Sequence, residues 1–211
     1  MTRTRIKICG LRDPAHALIA AREGADAIGL VFYGDSPRNV CLEAAAAMSA
    51  ALPPYVTPVG LFVNETVNEI ERILARVPLG LLQFQGDETP EFCDGFGVPY
   101  VRAVRMEQGV DLLEYAGRFK RAKALLLDAH VPGLPGGTGT KFDWSRIPRS
   151  LPIPLILSGG LHAGNVADAI REVRPWAVDV SSGVEASRGV KDPAKIVEFI
   201  RSVQVEDAAS R

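Results

Sequence analysis

The chain has 211 residues, 47% of them hydrophobic, and a formal net charge of −1. It can bury a sizeable core as one domain or at most two, and it offers no overall basic field for nucleic acid, so an anionic ligand must be held by a local site. Three cysteines at no metal-ligand spacing and only three histidines argue against a disulfide framework or a metal centre and suit a reducing compartment.

Met1-Thr2-Arg3 leads straight into the first strand with no secretory apolar segment. No run approaches the ~18 apolar residues of a membrane span. The expectation is a soluble, cytoplasmic protein that binds neither membrane nor nucleic acid. Short apolar runs then recur along the chain, with segments of helical period between them. Strands are expected near residues 4–9, 26–32, 56–62, 79–83, 99–104, 123–128, 153–158 and 176–181. Helices are expected near 13–23, 42–51, 66–76, 88–94, 109–117, 163–172 and 192–203, with a short turn near 143–147. Asp13-Pro14 and Asp192-Pro193 each place a capping oxygen before a proline at the first helical position, and Gly24 stops the first helix. The strands are nearly continuous apolar runs, as parallel strands covered by helices require.

Eight β/α units in this length fit a compact (β/α)8 TIM barrel. The competing open sheet usually carries Gly-x-Gly-x-x-Gly after its first strand; here that turn reads Gly10-Leu11-Arg12-Asp13. The barrel is expected to span residues 1–205, leaving Glu206 to Arg211 as a frayed polar tail.

In such barrels the chemistry sits at the C-terminal ends of the strands. The first strand ends on Cys9 and the sixth on Asp128, a thiol and a carboxyl suited to act as a base and acid pair. Taken singly, Cys9 also reads as a small buried hydrophobe and Asp128 as a helix cap. Strands seven and eight end in Ser158-Gly159-Gly160-Leu161 and Ser181-Ser182-Gly183-Val184. Glycines there let backbone amides close on an anion, and the turns after strands seven and eight are the usual phosphate site of this fold. A phosphorylated small substrate is the reading they favour. Residues 131–141, rich in glycine, read as a lid over the mouth. Arg38, after strand two, has a fork that suits a carboxylate.

Taken in order, the pieces Lys7-Ile8-Cys9-Gly10, Ser36-Pro37-Arg38, Gly60-Leu61-Phe62-Val63-Asn64, Leu126-Leu127-Asp128, Gly136-Gly137-Thr138-Gly139, Leu157-Ser158-Gly159-Gly160-Leu161 and Val178-Asp179-Val180-Ser181-Ser182-Gly183-Val184-Glu185 resemble the phosphoribosylanthranilate isomerase family of tryptophan biosynthesis. The resemblance runs to about residue 200. It implies a cofactor-free, metal-free Amadori rearrangement of N-(5′-phosphoribosyl)anthranilate, a small-molecule phosphoribosyl substrate, by a monomer or homodimer. Carried over residue by residue, it makes Asp128 the general acid and Cys9 the general base. Arg38 would bind the anthranilate carboxylate, and Gly160, Ser182 and Gly183 the phosphate.

The chain departs from the family pattern twice. Gln85 stands where Gln-Leu-His-Gly would place a histidine, so no proton transfer can be assigned there. Cys41 stands where a serine often caps the second helix.

Other readings are a related phosphosugar isomerase of the same fold and a non-catalytic barrel that binds phosphoribosyl compounds. An epimerase would want metal-ligating histidines and acids at the strand ends. The histidine-pathway isomerase would want an aspartate at position 9. A sensor would have lost the acid or the base, and both are present. One expectation concerns the layer beneath the site. If Cys9 points into the barrel mouth, strand parity turns Lys7 inward too. A buried lysine needs a partner, and Asp179 on the neighbouring eighth strand is the candidate.

Overall fold

Eight parallel strands hydrogen-bond in chain order and close on themselves, β1 against β8. The computed structural model describes residues 3–128, 143–148 and 150–210; the expected lid over 131–141 lies outside them. The strands are β1 (Arg5–Cys9), β2 (Ala27–Val31), β3 (Thr57–Phe62), β4 (Leu81–Phe84), β5 (Tyr100–Arg105), β6 (Ala124–Asp128), β7 (Leu155–Leu157) and β8 (Ala177–Val180). The helices that cover them are α1 (Pro14–Glu23), α2 (Leu42–Ala51), α3 (Val67–Leu74), α4 (Pro90–Asp94), α5 (Leu112–Arg118), α6 (Val166–Val173) and α7 (Pro193–Ala209). The arrangement is the TIM barrel expected from the sequence.

Cap chemistry sets several boundaries. The Asp13 carboxylate accepts from the Ala15 amide and Pro14 opens α1; Gly24, at φ 115°, closes it in the left-handed region. Thr89 and Asp111 cap α4 and α5 from within segments expected to be helical already, which is why both helices start later than their apolar pattern suggests. Cys41 precedes α2 without a side-chain cap hydrogen bond.

Strand parity sorts the core into two layers. Ile6, Ile8, Ile28 and Leu30 point outward into the helix layer with Phe62, Phe84, Ile196 and Phe199. Val101, Ala103, Ala124, Leu126, Ile156 and Ala177 fill the barrel interior. Cys9, Val31 and Leu61 form a small apolar patch of their own. The β1–β8 register sets Lys7 directly opposite Asp179.

Two features differ from the sequence expectation. The tail does not fray at Glu206: α7 runs on to Ala209, with Glu206 buried and ion-paired to Arg171, and with Asp207 accepting from the amide and hydroxyl of Thr4. Acidic residues that look like a solvated end are thus tied down by partners distant in sequence. A small antiparallel hairpin, β9 (Glu185–Ser187) and β10 (Val190–Lys191), follows β8. Its strands are too short and polar to register as apolar periodicity. Gly189 at its tip, with φ 81°, packs so closely on the Pro37 carbonyl that a Cβ would lie 2.5 Å from that oxygen.

Candidate active site

The C-terminal ends of the strands enclose a cavity of about 520 Å³, and both Cys9 and Asp128 line it. Each side chain is carried there as the last residue of its strand, β1 and β6. Both are buried, so the thiol and the carboxyl face a shared interior space rather than bulk water.

Beneath Cys9, Lys7 Nζ lies 3.0 Å from Asp179 Oδ1, and both side chains are almost fully buried. The Ser158 hydroxyl donates to the other carboxylate oxygen, Oδ2, at 3.4 Å. Room for this layer comes from Gly29 on β2, where a Cβ would lie 2.7 Å from the Cys9 sulfur and 3.1 Å from Lys7 Nζ. Burial works to lower the Lys7 pKa, but the charges of Asp179 and Cys9 outweigh it and hold the lysine above its ordinary value. The Cys9 thiol is raised. Burial is the main cause and Asp179 adds to it, while Lys7 and Lys191 pull the other way.

On β6, Asp128 Oδ2 accepts from Gln85 Nε2 at 3.0 Å, and Gln85 Oε1 in turn accepts from Gln83 Nε2 at 3.0 Å. This chain fixes which end of the Gln85 amide meets the Asp128 carboxyl. The turn that carries Gln85 is held from behind by Arg102, which donates to the carbonyls of Phe84 and Gly86 and pairs with buried Glu88.

The two glycine-rich turns meet at the end of β7 and β8. Gly160 and Ser182 line the cavity, and Gly160 has φ 68°. Gly183 lies behind them, where a Cβ would come within 1.9 Å of the Leu161 carbonyl oxygen. Only glycine lets these turns approach so closely. Asn165 locks the first of them by donating to the Gly160 carbonyl and accepting from the His162 amide.

Arg38 lines the same cavity, but its fork is already filled. Nε and Nη2 donate to Glu185 Oε1 and Oε2 at 2.7 and 3.1 Å. The expected two-pronged bond therefore forms within the protein, and Nη1 is the edge left for a ligand, carrying no hydrogen bond among the described residues. Glu185 also accepts from Lys191 Nζ at 2.9 Å and from the Gly189 amide at 3.2 Å. Burial raises the Glu185 carboxyl, yet Arg38 and Lys191 outweigh it and hold its pKa below the usual range. Sequence reasoning assigned no role to Glu185, Lys191 or Gln83. A glutamate and a lysine six residues apart across a glycine are the only trace of this network in the sequence.

The model of N-(5′-phosphoribosyl)anthranilate isomerases matches residues 6–202. An N-(5′-phosphoribosyl)anthranilate isomerase from Alcanivorax borkumensis is 53% identical over 216 residues, covering 99% of either chain. One from Azotobacter vinelandii is 56% identical over 204 residues, covering 97% of this chain and 99% of its own. Among solved structures, the phosphoribosyl anthranilate isomerase of Thermotoga maritima superimposes with a TM-score of 0.87 at 41% identity, covering 96% of this chain and 99% of its own. A phosphoribosyl anthranilate isomerase bound to reduced 1-(o-carboxyphenylamino)-1-deoxyribulose 5-phosphate gives a TM-score of 0.84 at 39% identity, covering 96% and 99%. A further Thermotoga maritima structure is of monomers generated from a dimeric enzyme; it gives a TM-score of 0.80 at 36% identity, covering 96% and 99%.

Proposed function

The chain belongs to the N-(5′-phosphoribosyl)anthranilate isomerase family, and we propose that Asp128 and Cys9 are the acid and base of its reaction. It is an isomerase of tryptophan biosynthesis and catalyses the Amadori rearrangement of N-(5′-phosphoribosyl)anthranilate to 1-(o-carboxyphenylamino)-1-deoxyribulose 5-phosphate.

Asp128 gives its proton to the ribose ring oxygen as the C1′–O bond breaks, and the anthranilate nitrogen supplies the electron pair that forms the iminium. The iminium acidifies the C2′ proton, which the Cys9 thiolate removes to leave an enolamine. Protonation at C1′ and loss of the enol proton from the C2′ oxygen complete the ketone. Gln85 donates to Asp128 Oδ2, so the acid delivers its proton from Oδ1. The backbone amides around Gly160, Ser182 and Gly183 hold the phosphate, and Nη1 of Arg38 meets the anthranilate carboxylate. The protein acts in the cytoplasm as a monomer or homodimer, its barrel serving as one catalytic domain.

The observation that carries this reading is the placement of a buried thiol and a buried carboxyl on different walls of the cavity that the two glycine turns complete. Loss of substrate fluorescence in the presence of the purified protein tests the roles. Turnover by the native chain, and its collapse in both Cys9→Ala and Asp128→Asn, is expected. A variant that restores growth to a tryptophan auxotroph lacking this isomerase as well as the native gene does would remove its residue from the mechanism.

A further inference from the structure

Lys191 has no part in the chemistry described above, yet it is among the most buried charges of the barrel mouth. It stands on β10, outside the barrel strands, and reaches back over the end of β8. Its ammonium donates to the Ser181 carbonyl at 2.8 Å, to the Ser181 hydroxyl at 3.2 Å and to Glu185 Oε1 at 2.9 Å. The Ser181 hydroxyl donates to the Cys9 carbonyl at 3.2 Å. The cation is thus coupled to β1 through one serine at the end of β8.

The charges around the thiol do not cancel. Lys7 faces it from below on β1 and Asp179 from β8; those two neutralise each other. Arg38, from the loop after β2, and Lys191, from β10, share the single carboxylate of Glu185. Three cations meet two anions, leaving one excess positive charge close to Cys9. The remaining charged groups that line the cavity are Asp128 and Arg105 on the β5–β6 wall, and Asp35 and Arg188 in its loops. Burying a lone cation next to two others is costly unless an anion joins them. The group positioned to supply that anion from within the protein is the thiolate of Cys9.

We propose that Lys191 is the positioning cation of the catalytic base: held by Glu185 and Ser181, it supplies the excess positive charge that makes the thiolate of buried Cys9 accessible. The inference rests on the reading of Cys9 as the base. Burial lowers the Lys191 pKa, with Glu185 opposing it, and the Ser181 carbonyl and hydroxyl accept from the ammonium independently of Glu185. Glu185 and Lys191 then act on Cys9 with opposite signs. A hairpin that mattered only for stability would not give that result, because both substitutions would damage it alike.

The test follows the Cys9 thiol directly, in a Cys41→Ser background so that the exposed cysteine does not compete; Cys93 is buried, with its pKa pushed up to about 12. The alkylation rate by iodoacetamide is measured against pH for the parent, Lys191→Met, Lys191→Arg and Glu185→Gln, each checked for folding by thermal denaturation. Lys191→Met is expected to raise the thiol pKa by about one unit and so slow alkylation at neutral pH about tenfold, with a matching fall in kcat. Lys191→Arg should recover most of it. Glu185→Gln should shift the titration the other way and speed alkylation. If Lys191→Met does not fold, Glu185→Gln still decides: a titration that is unmoved, or moved upward, overturns the proposal. Full turnover by Cys9→Ala would instead refute the base assignment, a failure separable from that of Lys191.

Discussion

Lys7 Nζ and Asp179 Oδ1 sit 3.0 Å apart in the layer below Cys9, on strands that meet only because the barrel closes. Alternation along β1 turns Lys7 inward with Cys9, and closure brings β8 alongside with Asp179 in register. Removing one member of a buried pair leaves the other uncompensated, at a cost of about 3–5 kcal/mol. Lys7→Met is therefore expected to destabilise the fold by about that amount in urea unfolding, and to slow alkylation of Cys9 at neutral pH in the Cys41→Ser background. A stability loss without any change in labelling would make the pair purely structural.

Cys9→Ala and Asp128→Asn should each lower kcat by about 10²–10⁴-fold, the usual contribution of a positioned acid or base. KM should move much less, because neither group is needed to hold the phosphate or the carboxylate. Steady-state kinetics of each variant decides its role separately, and near-native kcat in either one rejects that assignment.

Arg38→Met separates binding from chemistry. A contact to the substrate carboxylate persists from the ground state to the transition state, so its loss appears in KM. A charge-assisted hydrogen bond contributes about 1.5–3 kcal/mol, which corresponds to a rise in KM of about 10–100-fold. The fork of Arg38 already grips Glu185, so Glu185→Gln should also weaken substrate binding, by a smaller factor, through loss of aim. A fall in kcat at constant KM in Arg38→Met would contradict anchoring.

The pH dependence follows from the direction of the Cys9 shift. Burial holds the thiol above its ordinary value against the pull of Lys7 and Lys191, so the free enzyme carries a protonated Cys9 near neutral pH. A base must be deprotonated to act; hence kcat/KM should still be rising with pH through and beyond neutrality. The same shift contributes to folding stability below the unfolded thiol pKa, about 8.5, and that contribution is lost as pH rises through the higher folded value. A kcat/KM profile already level well below neutral pH would mean that the thiolate is preformed.

What was legible in the sequence is what local chemistry writes there. Asp13-Pro14, Gly24 and the apolar runs fix elements because caps, breakers and periodicity act within a few residues. Lys7 with Asp179 was legible at long range because a closed barrel makes the first and last strands neighbours. The hairpin that carries Glu185 and Lys191 was not, since its order comes from a close approach to Pro37 and from partners on other loops. Arg38 was legible as a carboxylate binder, but its occupation by an internal carboxylate depends on where that hairpin lands. Asp207 and Glu206 read as a polar end because their partners, Thr4 and Arg171, lie far away along the chain.

Gln85 was legible as a departure from the family histidine and illegible in its effect, which depends on Gln83 two residues earlier. Gln83 points the carbonyl end of the Gln85 amide toward itself and the amino end toward Asp128. An amide in that orientation donates only, so it keeps Oδ2 of Asp128 as an acceptor and leaves the proposed acidic proton to Oδ1. Gln85→Glu replaces the donor with an acceptor and should cost kcat about tenfold or more, with KM little changed. Gln85→His restores a group able to donate and should recover most of the loss. Gln83→Leu leaves Gln85 in place but frees its amide to flip, so an intermediate fall in kcat is expected. If Gln85→Glu turns over at the native rate, the hydrogen bond to Oδ2 does not orient the acid.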